Sequence, residues 1–316
     1  MTVFVTGGTG AVGPAVVRRL VAGGAAVRVL TRDAAARLPA GAQRVVGSLS
    51  DADALARGVD GADAVVHLAA LLHVVDPPPE LAAEYARVNV GGTERLAAAA
   101  ERAGVARFAF ASTINVYGPS AGRAPWTEAD PTAPETPYAR TKREAEGVVA
   151  DVAGGVVLRL AAVYGPGMRG NYRQLLGALR RGLRVLPGTG QNRRTLVHVE
   201  DAAAAFALAA TAGLPAPLYN LTDGHVWTFD AVARAMQQAV GRRPGVRYVP
   251  APPVRAAAAA ASAVAARLGR DVPGASAVDK LTEDVAVDGR RLIDETAYHP
   301  AHADLRAGWA TLLSAP

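Results

Sequence analysis

The sequence contains no cysteine, and only two of its 34 basic side chains, Lys142 and Lys280, are lysines. The lack of cysteine excludes disulfides, cysteine-ligated metal centres and cysteine nucleophiles, and it is consistent with a reducing, cytoplasmic location. Aromatic residues make up 5% of the chain, and the arginines are scattered rather than gathered into a basic tail. Despite the net charge of +6, we therefore expect no nucleic-acid partner.

Long hydrophobic runs are also missing. The alanine-rich stretch 255–270 has arginines at its ends and is too short to span a bilayer, which needs about 20 apolar residues. Residues 1–8 show no basic region followed by an apolar segment, so we expect neither a secretion signal nor a membrane association.

The sequence shows no zinc-protease motif and no lysine-containing phosphate loop. His299 and His302 have a spacing that a metal site could use, but they are expected to have no supporting acidic partners. His198 lies in an apolar run and is interpreted as a structural core histidine. We therefore predict no metal site.

Short apolar runs alternate with amphipathic stretches in the first half of the chain, which is typical of a parallel sheet covered by helices on both faces. The predicted strands are 2–6, 26–31, 64–69, 107–112 and 155–160, with further strands at 195–199 and 218–223. The fold class is therefore α/β, a Rossmann-type doubly wound parallel sheet. We predict a dinucleotide-binding domain over residues 1–165, with returning segments near 195–223, and a mainly substrate-binding lobe over residues 166–316.

A glycine-rich segment joins the first predicted strand to the first predicted helix. Gly7, Gly10 and Gly13 recur at every third position, with Ala11 and Val12 before the last glycine. A tight turn and a bare backbone would let a pyrophosphate approach the amides at the helix N-terminus. The flanking strand and helix make this a dinucleotide-binding fingerprint rather than an ordinary turn.

The end of the second strand decides between NAD and NADP. An acidic residue there would bind the ribose 2′-hydroxyl, and an arginine would bind a 2′-phosphate. Thr31 occupies the predicted strand end and Arg32 follows, with Asp33 one residue further. Both cofactors remain open, with Arg32 favouring NADP.

Tyr138 and Lys142 are four residues apart, so they would share one face of a helix. A nearby ammonium and a positive nicotinamide ring would lower the pKa of the phenol, which could then exchange a proton with a substrate hydroxyl. A compact ammonium can also reach ribose hydroxyls, a task for which arginine is a poor replacement. A third member of the site, the hydroxyl of Ser112 or Thr113, is expected at the end of the neighbouring strand.

Seven sequence segments occur in the same order as in a known family, over about residues 1–240. Through these segments the sequence resembles the extended short-chain dehydrogenase/reductase family, in its nucleotide-sugar epimerase/dehydratase branch. These segments are TGGTGAVG, VVHLAA, RVNVGGTERL, FASTINVYG, PYARTKREAE, LRLAAVYGPG and RRTLVHVEDAAAA.

The resemblance implies a role for each matching position. It selects Thr113 over Ser112 and assigns the catalytic pair to Tyr138 and Lys142, which would also contact the cofactor. Three residues at the end of the third predicted strand would lie against the cofactor, and three more residues would bind substrate. These are Leu68, Ala69 and Ala70 for the cofactor, and Asn89, Asn171 and Arg194 for the substrate.

The chain departs from the pattern after Thr113, where Ile114 and Asn115 replace the acid that dehydratases and decarboxylases carry. The hypothesis is therefore an NAD(P)-dependent 4-epimerase of a nucleotide-activated sugar, forming a homodimer. The alternatives are an NADPH-dependent 4-ketoreductase of a nucleotide sugar and a reductase or dehydrogenase of a non-sugar alcohol. A dinucleotide-sensing protein without activity is disfavoured by the Tyr138–Lys142 pair.

Overall fold

The computed structural model describes residues 1–71, 80–120, 122–168, 170–267, 272 and 274–312. Its centre is a seven-stranded sheet in which every strand pair is parallel. In chain order the described strands are β1 Thr2–Thr6, β2 Ala26–Thr31, β3 Ala42–Val46, β4 Ala64–His67, β5 Arg107–Thr113, β6 Gly155–Leu160, β7 Ala162–Tyr164, β8 Val185–Pro187, β9 Arg193–Arg194, β10 Leu196–His198, β11 Leu218–Leu221, β12 Trp227–Thr228 and β13 Arg247–Val249.

Helices connect these strands and cover both faces of the sheet. The described α-helices are α1 Gly13–Ala22, α2 Ala52–Val59, α3 Glu80–Tyr85, α4 Gly91–Arg102, α5 Pro137–Ala150, α6 Asn171–Arg180, α7 Val199–Thr211, α8 Phe229–Ala239, α9 Ala251–Arg267, α10 Ala275–Thr282, α11 Arg290–Glu295 and α12 Leu305–Ala310. A π-helical segment, Ala86–Val90, joins α3 to α4, and a 3₁₀ turn, Ile114–Tyr117, follows β5. Among the described residues, no helix combines the length and apolar character needed to cross a bilayer.

The order of strands across the sheet is β11-β6-β5-β4-β1-β2-β3. The chain therefore changes direction between β1 and β4, and in open α/β sheets ligands bind outside the carboxyl ends of the strands at such a switch point. The predicted doubly wound fold class is confirmed.

Two hydrophobic cores lie on opposite faces of this sheet. Because side chains alternate along a strand, Val3 and Val5 face the core beneath α1 and α7, whereas Phe4 faces the core beneath α2, α4 and α5. A third cluster, which includes Leu196, Phe229 and Trp309, holds the C-terminal segments together.

The strands differ from the predictions at several boundaries. The strand predicted at 64–69 ends at His67, and the one predicted at 107–112 runs on to Thr113. The segment 195–199 does contain a strand, but it pairs with β7 outside the main sheet. The edge strand β3 was not predicted because much of its surface is exposed and it lacks a continuous apolar run.

Candidate active site

The glycine-rich segment forms a close turn between β1 and α1. Gly7 has a φ of +72°, and a Cβ there would lie 2.5 Å from the backbone nitrogen of Ala69. A Cβ on Gly13 would lie 2.3 Å from the carbonyl oxygen of Gly7, so both positions require glycine. No described side chain caps the N-terminus of α1, whose first turn carries no acidic residue. This bare, positive helix end suits a pyrophosphate, and Ala11 and Val12 lie directly before it.

The loop after β4 lies against this turn. The amide of Leu68 donates to the carbonyl of Thr6, and the amide of Ala69 lies 3.4 Å from the hydroxyl of Thr6. Leu68, Ala69 and Ala70 are half-buried at the switch point. The structure thus brings the glycine turn and the small-residue loop together, as a dinucleotide site requires.

The end of β2 offers no buried carboxylate to a ribose. Thr31 is buried, and its hydroxyl accepts a hydrogen bond from the amide of Asp33 at 3.3 Å. Arg32 and Asp33 are exposed, and the Asp33 carboxylate accepts the amide of Ala35 at 2.8 Å.

Tyr138 lies in the first turn of α5, where the Thr136 hydroxyl caps the helix by accepting the amide of Ala139. Lys142 is one turn further and is buried, with its ammonium 4.0 Å from the centre of the Phe110 ring. The ring of Tyr85 packs edge-on against Tyr138, with 6.2 Å between the ring centres.

The side chains of the site raise the pKa of Tyr138 instead of lowering it as expected. Burial raises it to about 12, and Tyr85 acts in the same direction. Burial also lowers the pKa of Lys142 to about 7, against the opposing effect of Glu146. The expectation neglected burial, which disfavours both charged forms. Further positive charge near the phenol is therefore needed to make it a base.

Asn89 lies beneath the site and not on the surface of the cleft described below. It is buried in the π-helical segment, where its side-chain oxygen accepts the amide of Leu71 at 2.7 Å. Its side-chain nitrogen donates to the Thr141 hydroxyl at 3.1 Å. These contacts favour a positioning role for Asn89, holding the cofactor loop against α5, over the substrate contact predicted for it.

Ser112 and Thr113 point to opposite sides of β5. The Ser112 hydroxyl donates to Glu146 in the interior. The Thr113 hydroxyl accepts the amide of Asn115 at 3.2 Å, and Thr113 lines a cleft at the end of the strand.

This cleft has a volume of about 290 Å³ and lies between the ends of β5 and β6, the start of α6 and the segment around α10. Thr113, Asn171 and Arg194, all predicted from the sequence, line it together. Ile114 and Asn115 line it as well, so no acid stands directly after Thr113.

Arg194 is the most buried cation of the cleft. Its exposed fraction is 7%, it donates to the carbonyl of Lys280 at 2.6 Å, and its guanidinium lies 5.7 Å from the centre of the Phe229 ring. Burial raises the pKa of Glu283, another lining residue, and the nearby Arg194 opposes this rise. These contacts hold a planar, doubly donating group at the cleft surface.

Sequence reasoning missed several lining residues: Glu135, Tyr172, Phe229, Lys280 and Glu283. Phe229, Lys280 and Glu283 come from segments distant from the predicted site residues, whereas Glu135 and Tyr172 lie close to Tyr138 and Asn171 in the chain. The rarity of lysine is the one sequence signal that could have singled out Lys280.

The interpretation that His302 has no acidic partner was wrong. Its Nδ1 lies 3.0 Å from a carboxylate oxygen of Asp201, and the His198 ring stacks on the His302 ring at 3.8 Å. These three residues could supply ligand atoms to one ion. However, the Thr311 hydroxyl and the Glu200 amide lie against the two ring nitrogens of His198. Because the rings stack and the nitrogens of His198 already have hydrogen-bond partners, these residues favour a structural role, attaching the C-terminal segment, over a metal centre.

A model of the NAD dependent epimerase/dehydratase family matches residues 3–222. The chain is 33% identical over 271 residues to a 4-hydroxy-2-methyl-3-oxo-4-farnesyl-3,4-dihydroquinoline-1-oxide ketoreductase of Stigmatella aurantiaca, covering 82% of this chain and 79% of the relative. It is 33% identical over 280 residues to a dTDP-glucose 4,6-dehydratase of Streptomyces niveus, covering 79% and 81% of the two chains. Among solved structures, MoeE5 in complex with UDP-glucuronic acid and NAD aligns with a TM-score of 0.75 at 27% identity, covering 99% and 98% of the two chains.

Proposed function

Because the chain belongs to the NAD dependent epimerase/dehydratase family, we propose that it is a 4-epimerase of a nucleotide-activated sugar. The expected family and the expected type of enzyme, an NAD-dependent extended short-chain dehydrogenase, are confirmed. NAD is the cofactor of this family, and the preference for NADP drawn from Arg32 has no support.

The observation that carries the proposal is the buried guanidinium of Arg194 in the same cleft as Thr113. A bidentate donor next to a hydroxyl suits a substrate with a diphosphate at one end and a reacting sugar at the other. MoeE5, which aligns over nearly its whole length, holds a nucleotide sugar with NAD. Ile114 and Asn115 supply no carboxylate for elimination, which disfavours the dehydratase reaction of the Streptomyces niveus relative.

The proposed chemistry is a reversible exchange of a proton and a hydride at sugar C4. The glycine turn and the loop after β4 would hold NAD, which would supply an acceptor and a donor for the hydride. Tyr138 takes the proton of the C4 hydroxyl, Thr113 donates a hydrogen bond to the same oxygen, and Lys142 stabilises the phenolate. The burial that raises the pKa of Tyr138 makes this step depend on the positive charges around it. After the keto sugar presents its other face, Tyr138 returns the proton.

A second candidate is a ketoreductase of a non-sugar substrate. It is favoured by the similarity to the Stigmatella aurantiaca ketoreductase over 82% of the chain. The cleft also has a large apolar portion, formed by side chains that include Ile114, Leu160 and Phe229. A homodimer built through α5 remains a prediction.

Two assays of the purified protein separate these candidates: incubation with UDP- and dTDP-hexoses without added cofactor, and incubation with ketones in the presence of added NADH. Conversion of a hexose to its C4 epimer, abolished in a Tyr138→Phe variant, supports the epimerase. Consumption of added NADH only with a ketone, and no sugar conversion with any nucleotide, would contradict it and support the ketoreductase.

A further inference from the structure

A buried ionic network lies directly beneath the catalytic pair. Glu146 is one helical turn beyond Lys142 on α5, and its exposed fraction is 5%. One carboxylate oxygen accepts hydrogen bonds from the Ser112 hydroxyl at 2.5 Å and from Nε of Arg159 at 2.9 Å. The other accepts Nη2 of Arg159 at 2.7 Å. Glu146 thus ties α5 to the adjacent strands β5 and β6.

The network continues from Arg159 to the turn behind Thr113. The Arg159 guanidinium lies 4.7 Å from the centre of the Tyr117 ring, and Tyr117 ends the 3₁₀ turn that begins after Thr113. The Tyr117 hydroxyl donates to Asn220 of β11 at 2.9 Å. Nη1 of Arg159 has no hydrogen-bond partner among the described residues. Such a buried pair contributes little to stability but fixes geometry, here that of α5 against the end of β5.

Within the part of the chain that the structure describes, the groups that face Lys142 leave Glu146 as the source of negative charge. Tyr138 lies one turn before it on α5, and Phe110 of β5 offers only its ring face. His67 of β4 is neutral, because burial and the Lys142 charge lower its pKa to about 3. Arg159 of β6 is a cation. The Glu146 carboxylate raises the pKa of Lys142 against the effect of burial.

We propose that Glu146 is a positioning residue for hydride transfer: it fixes α5 against β5 through Ser112 and Arg159 and supplies the negative charge that stabilises the ammonium form of Lys142 inside the protein. The inference rests on the proposed function only in its assumption that Lys142 acts as a cation. Without the carboxylate, Lys142 and Arg159 would be two buried cations with no buried anion on α5, and the pKa of Lys142 would fall further.

The scarcity of lysine allows a direct test that needs no substrate. With only Lys142 and Lys280 in the chain, ¹³Cε-lysine labelling gives two lysine signals, and a Lys280→Arg variant assigns them. The titration midpoint of Lys142 is then read from its ¹³C shift against pH, in the protein with NAD present. In Glu146→Gln, which keeps the shape but removes the charge, we expect the midpoint to fall by at least about one pH unit, as for the loss of an opposite charge within reach.

Two variants separate charge from position. Glu144→Gln removes a carboxylate from the exposed face of the same helix, and we expect the Lys142 midpoint to stay at the wild-type value. Glu146→Asp keeps the charge on a shorter stem, so the midpoint should stay close to wild type while kcat falls. If Glu146→Gln fails to fold, the double variant Glu146→Gln with Arg159→Met removes both buried charges. A smaller downward shift of the Lys142 midpoint is then expected, because the cation of Arg159 is lost together with the carboxylate.

An unchanged Lys142 midpoint in Glu146→Gln, or in the folded double variant, would overturn the proposal. So would an equal shift in Glu144→Gln, because it would show a general effect of helix charge. Either result would leave the proposed epimerase reaction untouched, since that reaction is tested by sugar conversion. Conversely, a shifted midpoint in a protein that converts no sugar would support the role of Glu146 and count against the epimerase.

Discussion

The burial of His67 should lower the free energy of unfolding as the pH falls, by an amount that can be calculated. The imidazole is completely buried between the Thr6 hydroxyl, 2.7 Å from Nδ1, and the Thr93 hydroxyl, 3.0 Å from Nε2. Burial and the Lys142 charge lower its pKa from 6.5 to about 3. At any pH between these two pKa values, the unfolded chain therefore binds a proton at this ring and the folded chain does not.

The direction and the size of the change in stability with pH follow from this difference between the two pKa values. Because the folded pKa lies below the unfolded one, the neutral ring contributes stability that is lost as the pH falls below 6.5, down to about 3. The full difference corresponds to about 5 kcal/mol, and acidification from pH 7 to pH 5 removes about 2 kcal/mol of it.

Urea unfolding of the wild type and of His67→Asn at pH 7 and pH 5 tests this value. The variant is less stable at both pH values, but it lacks the titrating ring. We expect the wild type to lose about 2 kcal/mol more than the variant over this pH step. Other titrating groups, such as Asp223 and His198, are common to both proteins and cancel in the difference. Equal losses in the two proteins would refute the assignment of His67 as a buried neutral ring.

Three further predictions concern the candidate site. Tyr138→Phe should lower turnover by about 10²-fold or more while NAD binding, followed by fluorescence, stays near wild type; unchanged turnover would contradict the acid–base role. Gly13→Ala should weaken NAD binding because its Cβ would lie 2.3 Å from a backbone oxygen, whereas Gly147→Ala, with open space around it, should bind NAD normally. Arg194→Met should raise KM for a nucleotide sugar about tenfold or more with a smaller change in kcat, and the exposed Arg255→Met should not.

Local patterns predicted the elements of the sheet and the glycine turn well. The periodicity of apolar residues located β1, β2 and β6 to the residue, and the glycine spacing matches the positive φ of Gly7. Thr113, Asn171 and Arg194, which the family resemblance assigned to the site, line one cleft, and their contact with a substrate stays a prediction. These features depend on residues close together in the chain or on motifs with fixed order.

Contacts between distant segments could not be predicted. Asp201 and His302 are separated by 101 positions, so their contact left no signal in the spacing of residues. Glu146 and Arg159 are typical of solvated positions, yet both are buried because each satisfies the other. The rise that burial causes in the pKa of Tyr138 could not be foreseen either, because burial depends on the whole fold, including Tyr85, and not on the neighbouring lysine alone.

The position of β11 at the edge of the sheet has a consequence for biosynthesis. It pairs with β6, but β6 ends at Leu160 and β11 begins only at Leu218, so the partner strand leaves the ribosome well after β6. Until then the outer backbone of β6 stays unpaired, and α1 lacks α7, the helix that packs against it. A nascent chain of about 165 residues would therefore hold an incomplete sheet with an exposed, unpaired edge strand. Binding of chaperones should be strongest in the interval before residue 221 emerges.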